Sequence, residues 1–472
     1  MFLSTHESTR APAGVLLAVL LTGQTMASMD GSIVTVALPS IQRDLGASGA
    51  ALQLIVSGYL LTLGVLIVTG ARLGDLLGHR RAFLVGLAGF TGASLLCGLA
   101  PTAPMLVVAR VGQAAAAALM IPQVFSLIQL RFAGLALRRA IGLYSTVLAL
   151  GVAIGQIIGG LVVGADLFGL SWRPAFLINV PVGGMLTIAG MRWLPWAERT
   201  ARRFDLTGVG LLTVAMAALV TPLVFGRQYG WQLWTWLSLL TGAGLLAVFK
   251  RFERLVADRG GLPLLDLDVL RPRGVKPGLV ACLLVMGCYT AFLFAFTLHL
   301  QEHLGFGPFG AGLAFVPYAS GFAALSLTWT RLPDRVQTAL PVVGPLLFAT
   351  IAVIMAEVFA DGWTPGPLAP LLFAAGVGHA AGYSPLIAQL SAVVGHERAS
   401  ALSALNSTGP MLASVMAIAG LGSLYLAAGL TWTLAAIAAL LLGGAASAGF
   451  ARHSLTGSSA LQARPRPSDV AR

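Results

Sequence analysis

Apolar runs of about 20 residues alternate with short polar segments along the whole chain, and each run is long enough to cross a bilayer as an α-helix. The run 232–249 is the weakest of them, since Trp231, Trp234 and Trp236 at its start are typical of a membrane interface. The pattern predicts fourteen spans, at 14–38, 51–70, 82–100, 104–130, 140–164, 174–194, 206–226, 232–249, 275–300, 309–330, 340–359, 367–390, 399–425 and 430–450.

Composition supports a polytopic membrane protein. The 472 residues are 57% hydrophobic and 10% charged, with a mean hydropathy of +0.86, whereas soluble domains carry about 25% charged residues. The net charge of +12 comes largely from arginines in loops at alternate ends of the runs, as the positive-inside rule requires. We therefore expect both termini in the cytoplasm and no nucleic-acid partner. Cys97, Cys282 and Cys288 lack metal or redox spacing and are interpreted as packing residues.

The loops divide the chain into four parts. Residues 1–195 are predicted to form a six-helix bundle, 196–273 two linker helices with a cytoplasmic loop, 274–451 a second six-helix bundle, and 452–472 a disordered cytoplasmic tail. A faint repeat, Arg-Leu-x-Asp, occurs at Arg72–Asp75 and at Arg331–Asp334. Two related six-span halves are typical of transporters whose substrate site lies between the halves.

Two charged side chains lie well inside predicted spans. Asp30 is the one ionisable residue of the run 14–38, and a carboxylate there costs about 2.5 kcal/mol or more. We interpret it as a protonatable group lining an internal cavity; the alternative is that it snorkels to an interface. Arg110 shares a helical stripe with Gln113, Ala117 and Met120. It needs a carboxylate, a carbonyl or water, unless it snorkels outward.

The segment GARLGDLLGHRR, Gly70 to Arg81, carries the most specific pattern. It resembles the loop 2–3 motif of the major facilitator superfamily, with departures at Ala71, Leu76 and His79. The resemblance implies a latch that holds the outward-facing state; the alternative is a basic turn that only sets topology. The implied latch residues are Gly70, Gly74, Asp75, Gly78, Arg80 and Arg81, and, through the repeat, Asp334.

Two further segments favour one branch of that superfamily. MDGSIVTVALP (Met29 to Pro39) and SWRPAFLINVPVG (Ser171 to Gly183) are similar to signatures of the fourteen-span drug:proton antiporters. The resemblance implies an all-α integral membrane protein of the major-facilitator fold, with two six-helix bundles and two extra linker helices. It places Asp30 on the acidic position linked to proton coupling, and the analogous fold makes Asp30 the nearest acid for Arg110.

Span 5 repeats glycine every four residues, which gives a flat face for close helix packing. The glycines are Gly151, Gly155 and Gly159, with Gly160 beside them. Gln156 stands where the antiporter motif has proline, and it either donates into a cavity or only packs. Further candidates for the cavity wall and substrate contacts are Gln24, Tyr59, Gln113, Tyr289, Tyr318 and Asn406.

We expect a proton-driven exporter of amphipathic small molecules such as antibiotics or drugs, in a bacterial cytoplasmic membrane. We also expect a monomer with no cofactor and no metal; His299 and His303, with Glu302 between them, could hold a metal but suit a polar helix end better. One alternative is a proton-coupled importer of a small metabolite. Another is a polytopic membrane enzyme, although motifs such as G-x-S-x-G, H-E-x-x-H or a P-loop are not found. A receptor would usually add a soluble domain.

Overall fold

The computed structural model describes residues 13–194, 206–226, 229–259, 261, 263, 267–359, 368–394 and 399–462, and in these residues the regular structure is helical. The first part contains α1 (Ala13–Leu45), α2 (Gly49–Leu77), α3 (His79–Gly98), α4 (Ala103–Arg131), α5 (Gly134–Gly164), α6 (Pro174–Leu177) and α7 (Asn179–Trp193). The second part contains α8 (Leu206–Phe225), α9 (Leu233–Asp258), α10 (Val275–Glu302), α11 (Pro308–Ala314), α12 (Val316–Thr328), α13 (Asp334–Val358), α14 (Leu368–Val394), α15 (Ala399–Ala417) and α16 (Ser423–Gln462).

Contacts between helices divide the chain into two units. The first contains Met1–Phe204 and Phe306–Leu313, and the second contains Asp205–Gly305 and Ala314–Arg472. In the first unit α4 packs on α2 and α3, and α1 packs on α5. In the second, α13 packs on α14 and α16, α10 packs on α16, and α8 pairs with α9. The predicted linker helices α8 and α9 thus lie in the second unit, where Ser423 Oγ donates to the Leu223 carbonyl at 2.7 Å.

Twelve segments of the described residues are long and apolar enough to cross a membrane. The all-helical prediction is confirmed, but the count of fourteen is not. α5 qualifies only over Ile154–Gly164, which is shorter than a span, and several of its side chains lie outside the description. The predicted spans 399–425 and 430–450 fall in one continuous helical segment, of which the 47 residues Thr408–Ser454 count as a single span. Within that segment Gly429 has a non-helical backbone, with φ 81° and ψ −172°.

Glycines allow α1 and α5 to lie unusually close together. A Cβ at Gly151 would be 2.6 Å from Ser28 Cβ, one at Gly155 would be 2.6 Å from the Met29 carbonyl oxygen, and one at Gly159 would be 2.7 Å from Ile33 Cγ1. Real Cβ atoms do not approach that near. The glycine face of α5 therefore supports α1 on both sides of Asp30, while Gly160 lies against Pro308 and Phe309 of the first unit.

The end of the chain differs from the prediction. α16 continues to Gln462, so residues 452–462 of the predicted tail are helical in the structure. A helix that is already formed extends at little cost through good helix formers such as Ala460, Leu461 and Gln462. The rest of the predicted tail, 463–472, lies outside the described residues, as do 196–205 in the loop before α8.

Candidate functional site

An ion pair lies at the centre of the first unit. Arg110 on α4 donates from Nη1 to Asp30 Oδ2 on α1, and the two side chains are 0% and 1% exposed. Arg110 Nε also donates to the carbonyl oxygen of Ile55 on α2 at 3.3 Å. Burying either charge alone would cost free energy, and each residue is buried only because the other compensates its charge. The predicted neighbours, Asp30 and Arg110, are thus brought together.

Gln113 connects the pair to a wider polar network. One turn along α4 from Arg110, its Oε1 accepts from Arg110 Nη1 at 2.6 Å. Its Nε2 donates to Asp30 Oδ1 and to Ser94 Oγ, both at 2.8 Å. Asn179, the first residue of α7, donates to Asp30 Oδ1 at 3.3 Å and to Ser94 Oγ at 3.4 Å. The network therefore joins α1, α3, α4 and α7 through buried side chains.

Three donors meet at the carboxylate of Asp30. Arg110, Gln113 and Asn179 all approach the carboxylate as donors, and an ionised carboxylate is acceptor-only. The ring of Tyr59 packs below the guanidinium, with its centroid 4.0 Å from Arg110 Cζ. An aromatic face stabilises a cation in a desolvated site. The site is therefore a pair of opposite charges in which the carboxylate and the guanidinium are both hydrogen-bonded, and a proton on Asp30 would weaken that pairing.

The predicted latch is organised by a residue that the sequence did not single out. Gln123 on α4 donates from Nε2 to the Gly70 carbonyl at 2.8 Å, and its Oε1 lies 2.8 Å from Nδ1 of His79. A Cβ at Gly74 would lie 1.9 Å from Gln123 Oε1, and one at Gly70 would lie 2.0 Å from the Ala118 carbonyl oxygen. α4 is therefore in direct backbone contact with the end of α2.

The turn after α2 depends on Gly78, whose φ of 86° ends α2 and starts α3. Arg80 is buried and donates from Nη2 to the Met191 carbonyl of α7, while Arg81 is exposed. Asp75 lies in α2, but its side chain is outside the description. Asp334 is exposed in the first turn of α13, in the second unit.

A second ion pair lies near the C-terminal end of α1. Arg173 Nη1 donates to Asp44 Oδ2 at 2.6 Å, and Trp172 Nε1 donates to the same oxygen at 2.9 Å. The two charged side chains are 24% and 37% exposed. Because solvent screens such a partly exposed pair, it contributes only about 0–1 kcal/mol to stability.

The second unit has a cluster of rings around a buried histidine. Tyr289 on α10 stacks on His379 of α14, with centroids 4.5 Å apart, and Tyr318 OH lies 2.9 Å from His379 Nδ1. Tyr383 OH donates to Asn406 Oδ1 at 3.1 Å beside this cluster. Tyr289, Tyr318 and Asn406 were predicted at a cavity wall, and the structure gathers them around His379.

The other candidates lie apart from these two clusters. Gln24 is buried and donates to Ser28 Oγ at 3.2 Å. Gln156 is 2% exposed, and its amide has no hydrogen-bond partner among the described residues. His299 and His303 stack with centroids 4.9 Å apart, and the described residues contain no group of three or more His, Cys, Asp or Glu placed to hold a metal.

Comparison with known proteins identifies the family. The family model described as Major Facilitator Superfamily matches residues 20–418. The chain belongs to the major facilitator superfamily. The resemblance first found in the short motifs is therefore confirmed. With twelve membrane-length segments in the part of the chain that the structure describes, this major-facilitator protein is a multi-pass bacterial membrane protein.

Two curated relatives extend over most of the chain. The "Probable actinorhodin transporter" of Streptomyces coelicolor is 35% identical over 87% of this chain and 72% of its own length. The "Multidrug resistance protein Stp" of Mycobacterium tuberculosis is 32% identical over 87% of this chain and 75% of its own length. A crystal structure of a peptide transporter, POT, covers 95% of both chains with a TM-score of 0.67 at 14% identity, which shows a shared fold.

Several residues of these clusters were missed in the sequence. Asn179 was quoted only as part of a motif, and nothing in the sequence distinguishes Ser94 from other serines in apolar helices. His379 had a usable signal, since it is a lone ionisable residue inside the predicted span 367–390. Gln123 had a weaker one, a long amide side chain within the predicted span 104–130.

Proposed function

We propose that this protein is a proton-coupled exporter that moves amphipathic small molecules, such as antibiotics, out of the cell by alternating access. The proton-coupling group is Asp30, and Arg110 is its counter-ion. The single observation that carries the coupling is the buried ion pair between these two residues, held by Gln113 and Asn179.

The coupling follows from the donors around Asp30. When the carboxylate is ionised, it accepts from Arg110, Gln113 and Asn179. When it takes up a proton, it loses its charge, and Arg110 keeps a buried charge with weaker compensation. Removing one partner of a buried pair costs about 3–5 kcal/mol. A conformation that gives Arg110 water or another acceptor is then favoured, so that proton uptake changes the population of the two access states.

The direction and the type of substrate rest on the relatives. The matched proteins include a "Tetracenomycin C resistance and export protein" of Streptomyces glaucescens, 39% identical over 65% of this chain and 56% of its own length. The names of these relatives favour export of antibiotic-like compounds over import, and a transporter over an enzyme. The peptide transporter shares only the fold, so its substrate says nothing about the substrate of this protein.

The topology that we infer has fourteen spans and two cytoplasmic termini in the bacterial cytoplasmic membrane. α5 is 31 residues long, and 47 residues in one segment extend about 70 Å at 1.5 Å per residue, which is more than twice the thickness of a bilayer core. The backbone break at Gly429 gives the place where that segment would divide into two spans. The distribution of arginines then places both termini on the inner side.

The test is proton-driven export of ethidium from cells or into inverted membrane vesicles with an imposed pH gradient. Asp30→Asn removes the titratable group and keeps the size of the side chain. We expect its transport to fall to the level seen with a proton uncoupler, which is at least tenfold below the parent. Asp44→Asn changes the partly exposed acid of the same helix and is expected to retain at least half of the activity. Full pH-driven transport by Asp30→Asn would refute the coupling assignment.

A further inference from the structure

Among the histidines that the structure describes, His379 is the one buried imidazole, and the proposed coupling does not use it. It is 4% exposed on α14, in the second unit, and its Nδ1 lies 2.9 Å from Tyr318 OH. Its other nitrogen, Nε2, lies 3.3 Å from the thioether sulfur of Met286 on α10. A neutral imidazole has one donor nitrogen and one acceptor nitrogen, and a phenol can donate to the acceptor.

These contacts select one tautomer. If Nδ1 carried the hydrogen, the lone pair of Nε2 would face the lone pairs of the Met286 sulfur, with no donor between them. If Tyr318 donates to Nδ1, then Nε2 carries the hydrogen and points it at sulfur. In the second arrangement the lone pairs of Nε2 and of the Met286 sulfur no longer face each other. However, a thioether is a weak acceptor, so the buried Nε2–H donor is paired with a partner that an oxygen atom would easily replace.

Aromatic side chains lie around the imidazole ring of His379. The Tyr289 ring stacks on His379 at 4.5 Å, and the Phe322 ring lies 4.8 Å from it. The Tyr383 ring lies at 6.4 Å. These three rings, like Met286, are only partly buried, so each keeps some surface for another molecule. Among the described side chains in these contacts, none carries a formal charge at neutral pH when His379 is neutral.

We infer that Met286, Tyr289, Phe322, His379 and Tyr383 form a recognition site for a planar aromatic molecule that carries a carbonyl or phenolic oxygen. The oxygen accepts from His379 Nε2–H in place of the Met286 sulfur, and the flat ring system packs against Tyr289, Phe322 and Tyr383. Aromatic faces contribute attraction to any flat ring, while the buried donor selects for the oxygen. The inference rests on the proposed export function, because it names a class of substrate for it.

The test is equilibrium binding to the purified full chain in lipid nanodiscs without a pH gradient. Quenching of tryptophan fluorescence measures the binding. Alizarin, an anthraquinone with carbonyl and phenolic oxygens, is the probe, and anthracene has the same fused rings without oxygen. Empty nanodiscs correct for partitioning into lipid. His379→Phe keeps a ring and removes the donor, whereas His379→Gln retains an N–H donor near the position of Nε2. His303→Phe makes the same change at an exposed histidine of the second unit.

We expect His379→Phe to weaken alizarin binding about five- to tenfold, the effect of one lost hydrogen bond, with anthracene binding unchanged. His379→Gln and His303→Phe should stay within about twofold of the parent. Met286→Leu keeps the volume and removes the sulfur acceptor, so it should tighten alizarin binding about two- to threefold. A purely structural role for Met286 predicts no such gain.

Several outcomes would overturn the inference. They are no alizarin binding to the parent protein, equal loss for alizarin and anthracene in His379→Phe, or unchanged alizarin binding in that variant. If His379→Phe does not fold, as judged by size-exclusion profile and thermal unfolding, Met286→Leu decides alone through the sign of its effect. Failure of the export proposal is a separate result, because it would be seen in pH-driven transport by Asp30→Asn while alizarin binding still depends on His379.

Discussion

The Asp30 network of the first unit and the His379 cluster of the second unit bury polar side chains in different ways. In the first unit, Asp30 and Arg110 carry full charges and are joined by amide and hydroxyl groups at 0–6% exposure. In the second, the buried polar side chains around His379 are neutral, and their partners are phenol, thioether and aromatic faces. Removing Asp30 or Arg110 would leave the other charge buried without its counter-ion, whereas removing one member of the His379 cluster costs one weak hydrogen bond or ring contact.

Under the two proposals, the Asp30 network and the His379 cluster have different tasks. A charge pair that changes on protonation is suited to a two-state switch, because the energies involved are large enough to shift populations. A neutral cluster with small individual energies is suited to binding that must be reversible. Three substitutions test this contrast between a charged and a neutral cluster, and their expected effects on stability decrease from Arg110→Met to Gln113→Leu to Tyr318→Phe.

Removing the cation should have the largest effect. Arg110→Met leaves Asp30 buried among amide donors without a counter-ion, so we expect unfolding in detergent to become easier by about 3–5 kcal/mol. Arg131→Met, near the end of the same helix, is the control and should change stability by less than about 0.5 kcal/mol. The double variant Asp30→Asn with Arg110→Met should recover part of the loss. If Arg110→Met lost no more stability than Arg131→Met, the buried charge pair would have no special importance for stability.

Removing the bridging amide should have an intermediate effect. Gln113→Leu deletes the bonds to Arg110, Asp30 and Ser94 but keeps both charges, so we expect a loss of about 2 kcal/mol. Proton-driven transport should fall as well, since Asp30 would have one donor fewer. Gln129→Leu replaces an exposed glutamine on the same helix and should be neutral. Chemical unfolding in detergent checks stability, and inverted vesicles check transport.

The smallest effect is expected in the second unit. Tyr318→Phe removes the hydroxyl that pairs with His379 Nδ1 and retains the ring that stacks on Tyr289. Hydrogen bonds between membrane helices are worth about 0.6 kcal/mol on average, so the loss of stability should be about 1 kcal/mol or less. Tyr229→Phe, at an exposed tyrosine, is the matched control. If Tyr318→Phe destabilised the protein as strongly as Arg110→Met, the contrast between the units would be wrong.

Much of the fold could be predicted from the sequence because the features that indicate it lie within single helices. A span is a run of about 20 apolar residues, and helix spacing shows that Arg110 and Gln113 share a face. The count of spans was less secure, because the region 399–462 reads as two spans but forms one continuous helical segment with a single backbone break at Gly429. α16 extends past Arg452 to Gln462, which the polar composition of that stretch does not indicate.

The sequence by itself determined that the chain crosses a membrane many times, that it carries a buried acid and a buried base, and that α5 presents a glycine face. These properties depend on residue type and on spacing within one helix. Only the tertiary structure decided that Ser94 and Asn179 complete the network around Asp30, and that Gln123 contacts both Gly70 of α2 and His79 of α3. It also decided that His379 lies among rings from three helices. Such contacts join residues far apart in the chain, and their geometry depends on how the helices pack, which spacing within a helix does not encode.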